Sequence, residues 1–160
     1  MILNRQKKVR LATRSLARFL KKIQRELKLH GVEVSVAFVS DAAIAGWNQS
    51  YRQKKGPTDV LSFPAQARKL RVQKVRTQGR LKSASRKGHG AVNDKQFLGD
   101  IAIAPETARR YAKKNQRTLQ HELRVLMLHG VLHLMGYDHE SDNGKMNRLE
   151  HKLRRRLGLA

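Results

Sequence analysis

Three of the seven histidines in this 160-residue chain fall within eleven positions, in the stretch LHGVLHLMGYDHE at residues 128–140. His129 and His133 are four residues apart, so on a helix they point the same way, one turn apart. Gly136 follows, and a glycine just past a helical run commonly ends the helix because it adopts the left-handed conformation without a Cβ clash. The resulting turn carries His139 towards the other two rings. The pattern predicts three imidazoles around one metal ion, with the fourth position open as in catalytic zinc sites.

A packing role is the alternative for these histidines, because residues 123–135 are apolar almost throughout, as in a buried helix. Three buried imidazoles would each need a polar partner, however, and packing does not explain the glycine between the second and the third. We therefore predict a metal site. The chain has no cysteine, and three imidazoles without a thiolate suit one zinc ion best, although nickel, copper and iron also bind imidazole.

A metal ion with an open position lowers the pKa of a bound water and polarises the bond to be cut, which predicts a hydrolase. The histidine pattern matches the metzincin protease skeleton H-E-x-x-H-x-x-G-x-x-H at every ligand and at the glycine. It departs at Gly130, where those proteases carry the glutamate that accepts a proton from water. Glu122 lies two helical turns before His129, too far away to replace it. A peptidase is therefore the weaker hypothesis, whereas a phosphodiester can be cut largely through positioning and charge neutralisation.

The composition points to a nucleic-acid partner. The formal net charge is +23 and the isoelectric point is near 11.4, and such an excess repels itself unless it meets a polyanion. No apolar run approaches the roughly 20 residues of a transmembrane helix, so no membrane partner is expected. The length fits a single domain over residues 1–160.

Strand and helix patterns alternate along the chain. They predict an α+β fold with a single mixed β-sheet of about four strands packed with about five helices, one of which is a metalloprotease-like histidine helix in the core. The basic N-terminal helix also resembles a transit peptide in composition, but it runs directly into a strand pattern, which favours a domain helix. The predicted elements are strands within residues 1–6, 32–39, 60–63 and 97–104, and helices at 11–29, 40–52, 105–115 and 142–157, with the histidine helix between a break at Asn115 and the turn at Gly136.

Residues 66–96 differ from the rest in composition. They contain many lysines and arginines and one acidic residue, Asp94, with glycines and small residues that weaken regular structure. We expect a flexible basic loop here. It is either a solvated linker between two strands or an arm that binds RNA phosphates, and the sequence leaves both open.

Three blocks together resemble one known family. HGVLHLMGYDH, YRQKKGPTDVLSFP at residues 51–64 and FLGDIAIAPE at residues 97–106 are similar to motifs of the bacterial YbeY family of metal-dependent endoribonucleases, also called rRNA maturation factors. The resemblance covers the chain apart from residues 66–96. It implies a cytoplasmic, single-strand-specific endoribonuclease that matures the 3′ end of small-subunit ribosomal RNA and takes part in ribosome quality control. It also suggests ribosomal proteins and a ribosome-assembly GTPase as partners.

The resemblance also implies roles for individual residues. The family's metal ligands fall on His129, His133 and His139, and its arginine falls on Arg52. Arg52 would act in catalysis by holding the scissile phosphate; alternatively it is a surface arginine at a helix end. Tyr137 and Asp138, next to the last histidine, are candidates for orienting a ligand or ordinary turn residues.

Two other functions stay open at this point. A non-catalytic ribosome assembly factor would use the basic charge for binding and the metal for stability, and a metal-dependent peptidase-like hydrolase would use the site on another substrate. The open fourth position argues against the first, and Gly130 argues against the second. The general base of the expected reaction is not assigned.

Overall fold

The computed structural model describes residues 1–65, 96–139 and 142–160, and these ranges contain four strands and five helices. The expected basic loop lies outside the described residues, except that Gln96 begins a strand. The elements are β1 (Ile2–Asn4), α1 (Thr13–Glu26), β2 (Val32–Phe38), α2 (Asp41–Arg52), β3 (Val60–Pro64), β4 (Gln96–Ile103), α3 (Pro105–Lys114), α4 (Leu119–Leu134) and α5 (Lys145–Leu157).

The four strands form one mixed sheet in the order β1-β2-β4-β3. Strands β1 and β4 run parallel to β2, and β3 pairs antiparallel with β4, for example through Ser62 opposite Ile101. The α+β class and the single mixed sheet predicted from the sequence are therefore confirmed. Whether the whole of residues 1–160 forms one domain stays a prediction.

Local signals set the helix boundaries close to those predicted. The Ser40 hydroxyl accepts a hydrogen bond from the backbone N–H of Ala43 at the start of α2, and Pro105 occupies the first turn of α3. The last helix begins at Lys145, three residues later than expected. Its entry is formed by Gly144 in the left-handed region, with φ at 78°, and by the Asp142 carboxylate, which accepts from the backbone N–H of Met146 at 2.7 Å.

Helix α4 is the centre of the molecule. It packs against strands β3 and β4 on one side and against helices α1, α3 and α5 on the others. Its side chains join the main hydrophobic core with residues such as Val36 and Ile101 of the sheet. Burial on nearly every side explains why residues 123–135 are apolar almost throughout. No helix in the described ranges has the length and apolar character needed to cross a bilayer.

Helix α2 covers part of the opposite face of the sheet. Ile44 packs there with Leu61 and Ala102. At its start, the Asp41 carboxylate accepts hydrogen bonds from the Thr107 hydroxyl at 2.9 Å and from Arg110 at 2.8 Å, which ties α2 to α3. Burial raises the pKa of Asp41, but these hydrogen bonds outweigh it and hold the pKa below its usual value. These contacts anchor the first turn of α2, the helix whose last residue is Arg52.

Close packing of α4 on the sheet explains the glycine at position 130. A Cβ atom at Gly130 would lie 2.8 Å from Cγ2 and 2.9 Å from Cδ1 of Ile101, which is closer than side-chain carbons approach. A glutamate in this place would therefore force the buried Ile101 side chain to move. The departure from the metzincin pattern therefore follows from how this helix meets its sheet.

Substitution of Gly130 by alanine is expected to lower the free energy of unfolding by about 1–3 kcal/mol, as overpacked cores do. Urea denaturation measures the change. Gly46→Ala in helix α2 is the matched control, because a Cβ there meets nothing within 4 Å; it should be neutral or slightly stabilising. Equal losses in the two variants would show that helix glycines as such, and not the contact with Ile101, set the effect.

Candidate metal centre

The end of helix α4 and the turn after it position the three histidines. The helix ends at Leu134, and Gly136 adopts a φ of 93°. The backbone N–H of Gly136 donates to the carbonyl of His133 at 2.9 Å, and that of Tyr137 donates to the carbonyl of Leu132 at 3.2 Å. This pair of bonds is a Schellman motif, which needs a left-handed residue at the glycine position. The predicted reversal at Gly136 is confirmed, and it brings His139 back beside the helix.

The three imidazoles lie in contact with one another. Nε2 of His133 is 3.0 Å from Nε2 of His129, and Nε2 of His139 is 3.5 Å from Nδ1 of His129. One ring nitrogen from each residue lies within 4.8 Å of the other two. Tetrahedral zinc with bonds near 2.1 Å separates its ligands by roughly 3.4 Å, so small side-chain adjustments would suffice to bind an ion. In residues 1–65, 96–139 and 142–160 no fourth histidine or carboxylate joins the group.

A buried carboxylate that the sequence analysis missed forms a hydrogen bond with one histidine of the cluster. Glu150 of α5 is 5% exposed, and its Oε2 atom lies 3.2 Å from Nδ1 of His129. Its other oxygen accepts from Arg154. Burial raises the pKa of Glu150, but the hydrogen bond from His129 and the charge and hydrogen bond of Arg154 outweigh it, lowering the pKa to about 2.

The ionised Glu150 carboxylate fixes the tautomer of His129. A carboxylate can only accept, so Nδ1 of His129 carries the hydrogen and Nε2 keeps a free electron pair. A histidine whose second nitrogen donates to a carboxylate is the usual arrangement of a metal-ligating imidazole. The donor set and its support therefore fit a metal ion, while the three ligand roles stay predictions.

The surroundings of His133 favour the neutral, metal-binding form of its imidazole. Burial lowers the pKa of His133, and the neighbouring His129 and His139 lower it further. Asp138 and a backbone hydrogen bond to Tyr137 act in the opposite direction but are outweighed. Tyr137 also packs against the main core, and Asp138 lines the cavity at the histidines. Both thus lie beside His133, and their proposed role in orienting a ligand remains a prediction.

The histidines open into a cavity of about 700 Å³ that also contains Arg52. Its wall includes Asp138, the turn at Thr58 and Asp59, and strand β3. The PTDVLSFP pattern predicts only a turn and a strand, whereas in the fold this segment forms one side of the cavity. Arg52 is exposed, and none of the described residues forms an ion pair with it. Within the described part of the chain, its guanidinium thus lines the cavity of the three imidazoles without a charged partner.

Replacing Glu150 by alanine is expected to weaken metal binding by about 10- to 100-fold, because His129 loses the partner that sets its tautomer. The zinc affinity is measured by competition with a chromophoric chelator, using purified protein that has been loaded with zinc. Glu150→Gln should lose less, since the amide oxygen still accepts. Glu26→Gln is the matched control: Glu26 pairs with Arg156, also on α5, at 3.1 Å. Unchanged zinc affinity in Glu150→Ala, with circular dichroism showing a folded chain, would contradict this role.

Fold and site together define a class of protein: a single-sheet α+β protein with a three-histidine candidate metal site at the end of its central helix. The chain belongs to the YbeY family, since the family model described as Endoribonuclease YbeY matches residues 1–158.

Individual relatives agree with this assignment over most of their length. The chain is 36% identical over 159 residues to the Endoribonuclease YbeY of Koribacter versatilis, covering 99% of this chain and 86% of that protein. It is 33% identical over 169 residues to that of Thermodesulfovibrio yellowstonii, covering 95% and 92%. A solution structure of a Thermotoga maritima protein superposes with a TM-score of 0.51 at 27% identity, covering 95% of this chain and 85% of that one.

Proposed function

We propose that this protein is a metal-dependent endoribonuclease that hydrolyses phosphodiester bonds in single-stranded RNA. The observation that carries the proposal is the three-imidazole cluster in one cavity with Arg52, on a chain with a net charge of +23. The relatives named Endoribonuclease YbeY support the same reaction. RNA is the polyanion that this combination of charge and site fits.

The three histidines would hold the metal, and we propose zinc. When bound, such an ion supplies Lewis-acid chemistry: it activates water at neutral pH and neutralises charge on a phosphate. Glu150 keeps His129 in the tautomer that presents Nε2. His133, one turn along α4, and His139, after the turn at Gly136, lie close to it, with ring centroids 4.6 Å and 5.0 Å from that of His129. The rigid helix and the Schellman turn thus preorganise the ligands before an ion arrives.

Arg52 would bind the scissile phosphate. A guanidinium offers a planar pair of donors that matches two phosphate oxygens, and it stays charged at every physiological pH. Because the same cavity contains Arg52 and the histidines, a phosphate held by the arginine would lie in the cavity into which the three imidazoles open. The residue would thereby orient the substrate and stabilise the charge that builds up during cleavage.

A peptidase fits this site less well. The position of the protease glutamate is Gly130, and the packing against Ile101 leaves no room for a side chain there. RNA differs from a peptide in bringing its own charge and its own 2′-hydroxyl group, so positioning and charge neutralisation contribute more to its cleavage.

The biological role that we propose follows the family. It comprises processing of ribosomal RNA, including the 3′ end of the small-subunit RNA, and ribosome quality control in the cytoplasm. The small ribosomal subunit, ribosomal proteins and a ribosome-assembly GTPase would be the partners. The strong positive charge supports contact with ribosomal RNA.

The test uses the purified full chain and an end-labelled RNA that contains the 3′ region of small-subunit ribosomal RNA. We expect cleavage of the single strand, little cleavage of the same sequence as a duplex, and none of a labelled peptide. Removing the metal with a chelator should stop cleavage, and stoichiometric zinc should restore it. RNA binding without cleavage would instead favour the assembly factor, and cleavage that survives chelation would refute metal dependence.

A further inference from the structure

A second cavity, of about 530 Å³, lies on the face of the sheet turned away from helix α4. Its floor contains the small residues Ser35, Ala37 and Ala102. Ala37 and Ala102 are paired in register on β2 and β4, so their side chains share one face. Helix α2 covers this face beside Ile44 and leaves the cavity at its edge. The fold thus provides a recess with a smooth floor, outside the metal centre.

Aromatic side chains form one wall of this recess. Trp47 and Tyr51 stand one turn apart on α2, and both meet the ring of Phe63 edge-on, with centroids 6.3 Å and 5.2 Å apart. Trp47 is 38% exposed and Tyr51 is 70% exposed. Exposed aromatic rings grouped at a cavity are typical of binding sites, because their apolar faces gain from being covered.

This aromatic wall is continuous with the candidate metal centre. Tyr51 and Phe63 line both cavities. Tyr51 is also the residue before Arg52. An RNA strand with one phosphate at Arg52 would therefore bring a neighbouring nucleotide to the aromatic wall.

Polar groups at the rim fit a nucleobase better than a phosphate. Arg5 offers donors and Asp100 offers acceptors, and in the floor below them the Ser35 hydroxyl offers both. Asp100 would repel a phosphate, whereas its carboxylate can accept hydrogen bonds from the amino group of a base. Proteins that bind single-stranded RNA commonly stack unpaired bases on aromatic rings and read their edges with such polar groups.

We propose that this recess, defined by Trp47, Tyr51, Phe63, Arg5 and Asp100, binds one unpaired base of an RNA strand. The base stacks on the aromatic wall, next to the phosphate held at Arg52. The path of the strand into the metal centre rests on the proposed function, while binding of the base does not require cleavage. The site gives the protein a means of selecting single-stranded RNA, because a base in a duplex is not available for stacking.

The chain itself carries the probe for this site, since Trp47 is its one tryptophan. Metal-free full-length protein is titrated with a single-stranded oligoadenylate of ten nucleotides while tryptophan emission is recorded. We expect saturable quenching as a base stacks on Trp47. An oligonucleotide of the same length with abasic sugars should bind more weakly and should not quench.

Variants then separate stacking from charge. Tyr51→Ala should raise the Kd for oligoadenylate about 5-fold or more, with an unchanged dependence on salt. Arg5→Ala should instead lower the log–log salt slope by up to about 0.7 if the arginine also contacts the backbone. Tyr111→Ala is the matched control, because Tyr111 is 46% exposed on α3 and lines neither cavity.

Three results would overturn the proposal. The first is tryptophan emission that RNA leaves unchanged, as it would be if another part of this chain or a second copy covered the wall. The second is equal quenching by the abasic chain. The third is an equal loss of affinity in Tyr51→Ala and Tyr111→Ala. Failure of the proposed nuclease activity is a separate outcome. Quenching without cleavage after zinc is added would leave the base site standing, and cleavage without quenching would exclude it.

Discussion

Replacing His133 by alanine is expected to abolish zinc binding at the candidate site and to lower RNA cleavage by at least about 1,000-fold. Two imidazoles do not complete the three-ligand set of a catalytic zinc site, and the Lewis-acid contribution lost with the metal amounts to several kcal/mol of the barrier. Zinc content is measured on the purified protein, and initial rates are measured on the labelled single strand.

The matched control for this experiment is His30→Ala. His30 is exposed between α1 and β2, far along the chain from the cluster. It should keep full zinc content and full activity. A His133→Ala protein that is folded by circular dichroism, contains no zinc and still cleaves RNA would refute the metal mechanism. A protein that retains one equivalent of zinc would place the metal elsewhere.

The sequence predicts the part of this site that depends on local geometry. The spacing of His129 and His133 requires only a helix, and the turn at Gly136 requires only a residue that tolerates a positive φ. Both features follow from interactions within about ten residues. For that reason the fold reproduces them closely, including the return of His139 to the helix.

The residues that support the site depend on tertiary packing and were missed. Glu150 lies 21 positions from His129, and only the docking of α5 on α4 brings them together. Its signal is present in the sequence, however. Glu150 interrupts a stripe that is otherwise apolar, since the buried residues of α5 are Met146, Glu150, Leu153 and Leu157. A carboxylate at such a position is costly unless it has a charged or hydrogen-bonding partner.

Gly130 and the aromatic wall show the same limit. The sequence shows that Gly130 stands where the proteases carry a proton acceptor. The structural reason for a glycine there is the close contact with Ile101, which lies 29 residues earlier on a strand, and that contact can be known only from the sheet. Trp47 and Tyr51 fit the apolar spacing of an ordinary helix. Only the sheet order and the position of α2 reveal that these rings border both cavities.

Arg52 is the residue for which sequence and structure contribute separately. Position 52 was singled out through resemblance alone, since a basic residue at a helix end has an adequate explanation in the helix dipole. The structure places it at the end of α2, in the cavity of the histidines, which lie 77 or more positions further along the chain. The location of Arg52 in this cavity is compatible with a role in catalysis. Substitutions at position 52 are needed to distinguish that role from an interaction with the helix dipole.

Arg52→Ala is accordingly expected to lower kcat for RNA cleavage by about 100- to 1,000-fold while zinc content stays at one equivalent. Arg52→Lys should recover part of the loss, because it restores the charge but not the paired donors that match a phosphate. Lys55→Ala is the matched control: Lys55 is an exposed cation three residues away and is absent from the cavity wall. If Arg52 served only the helix dipole, its alanine variant would lose a fraction of a kcal/mol of stability and cleave RNA as fast as Lys55→Ala does.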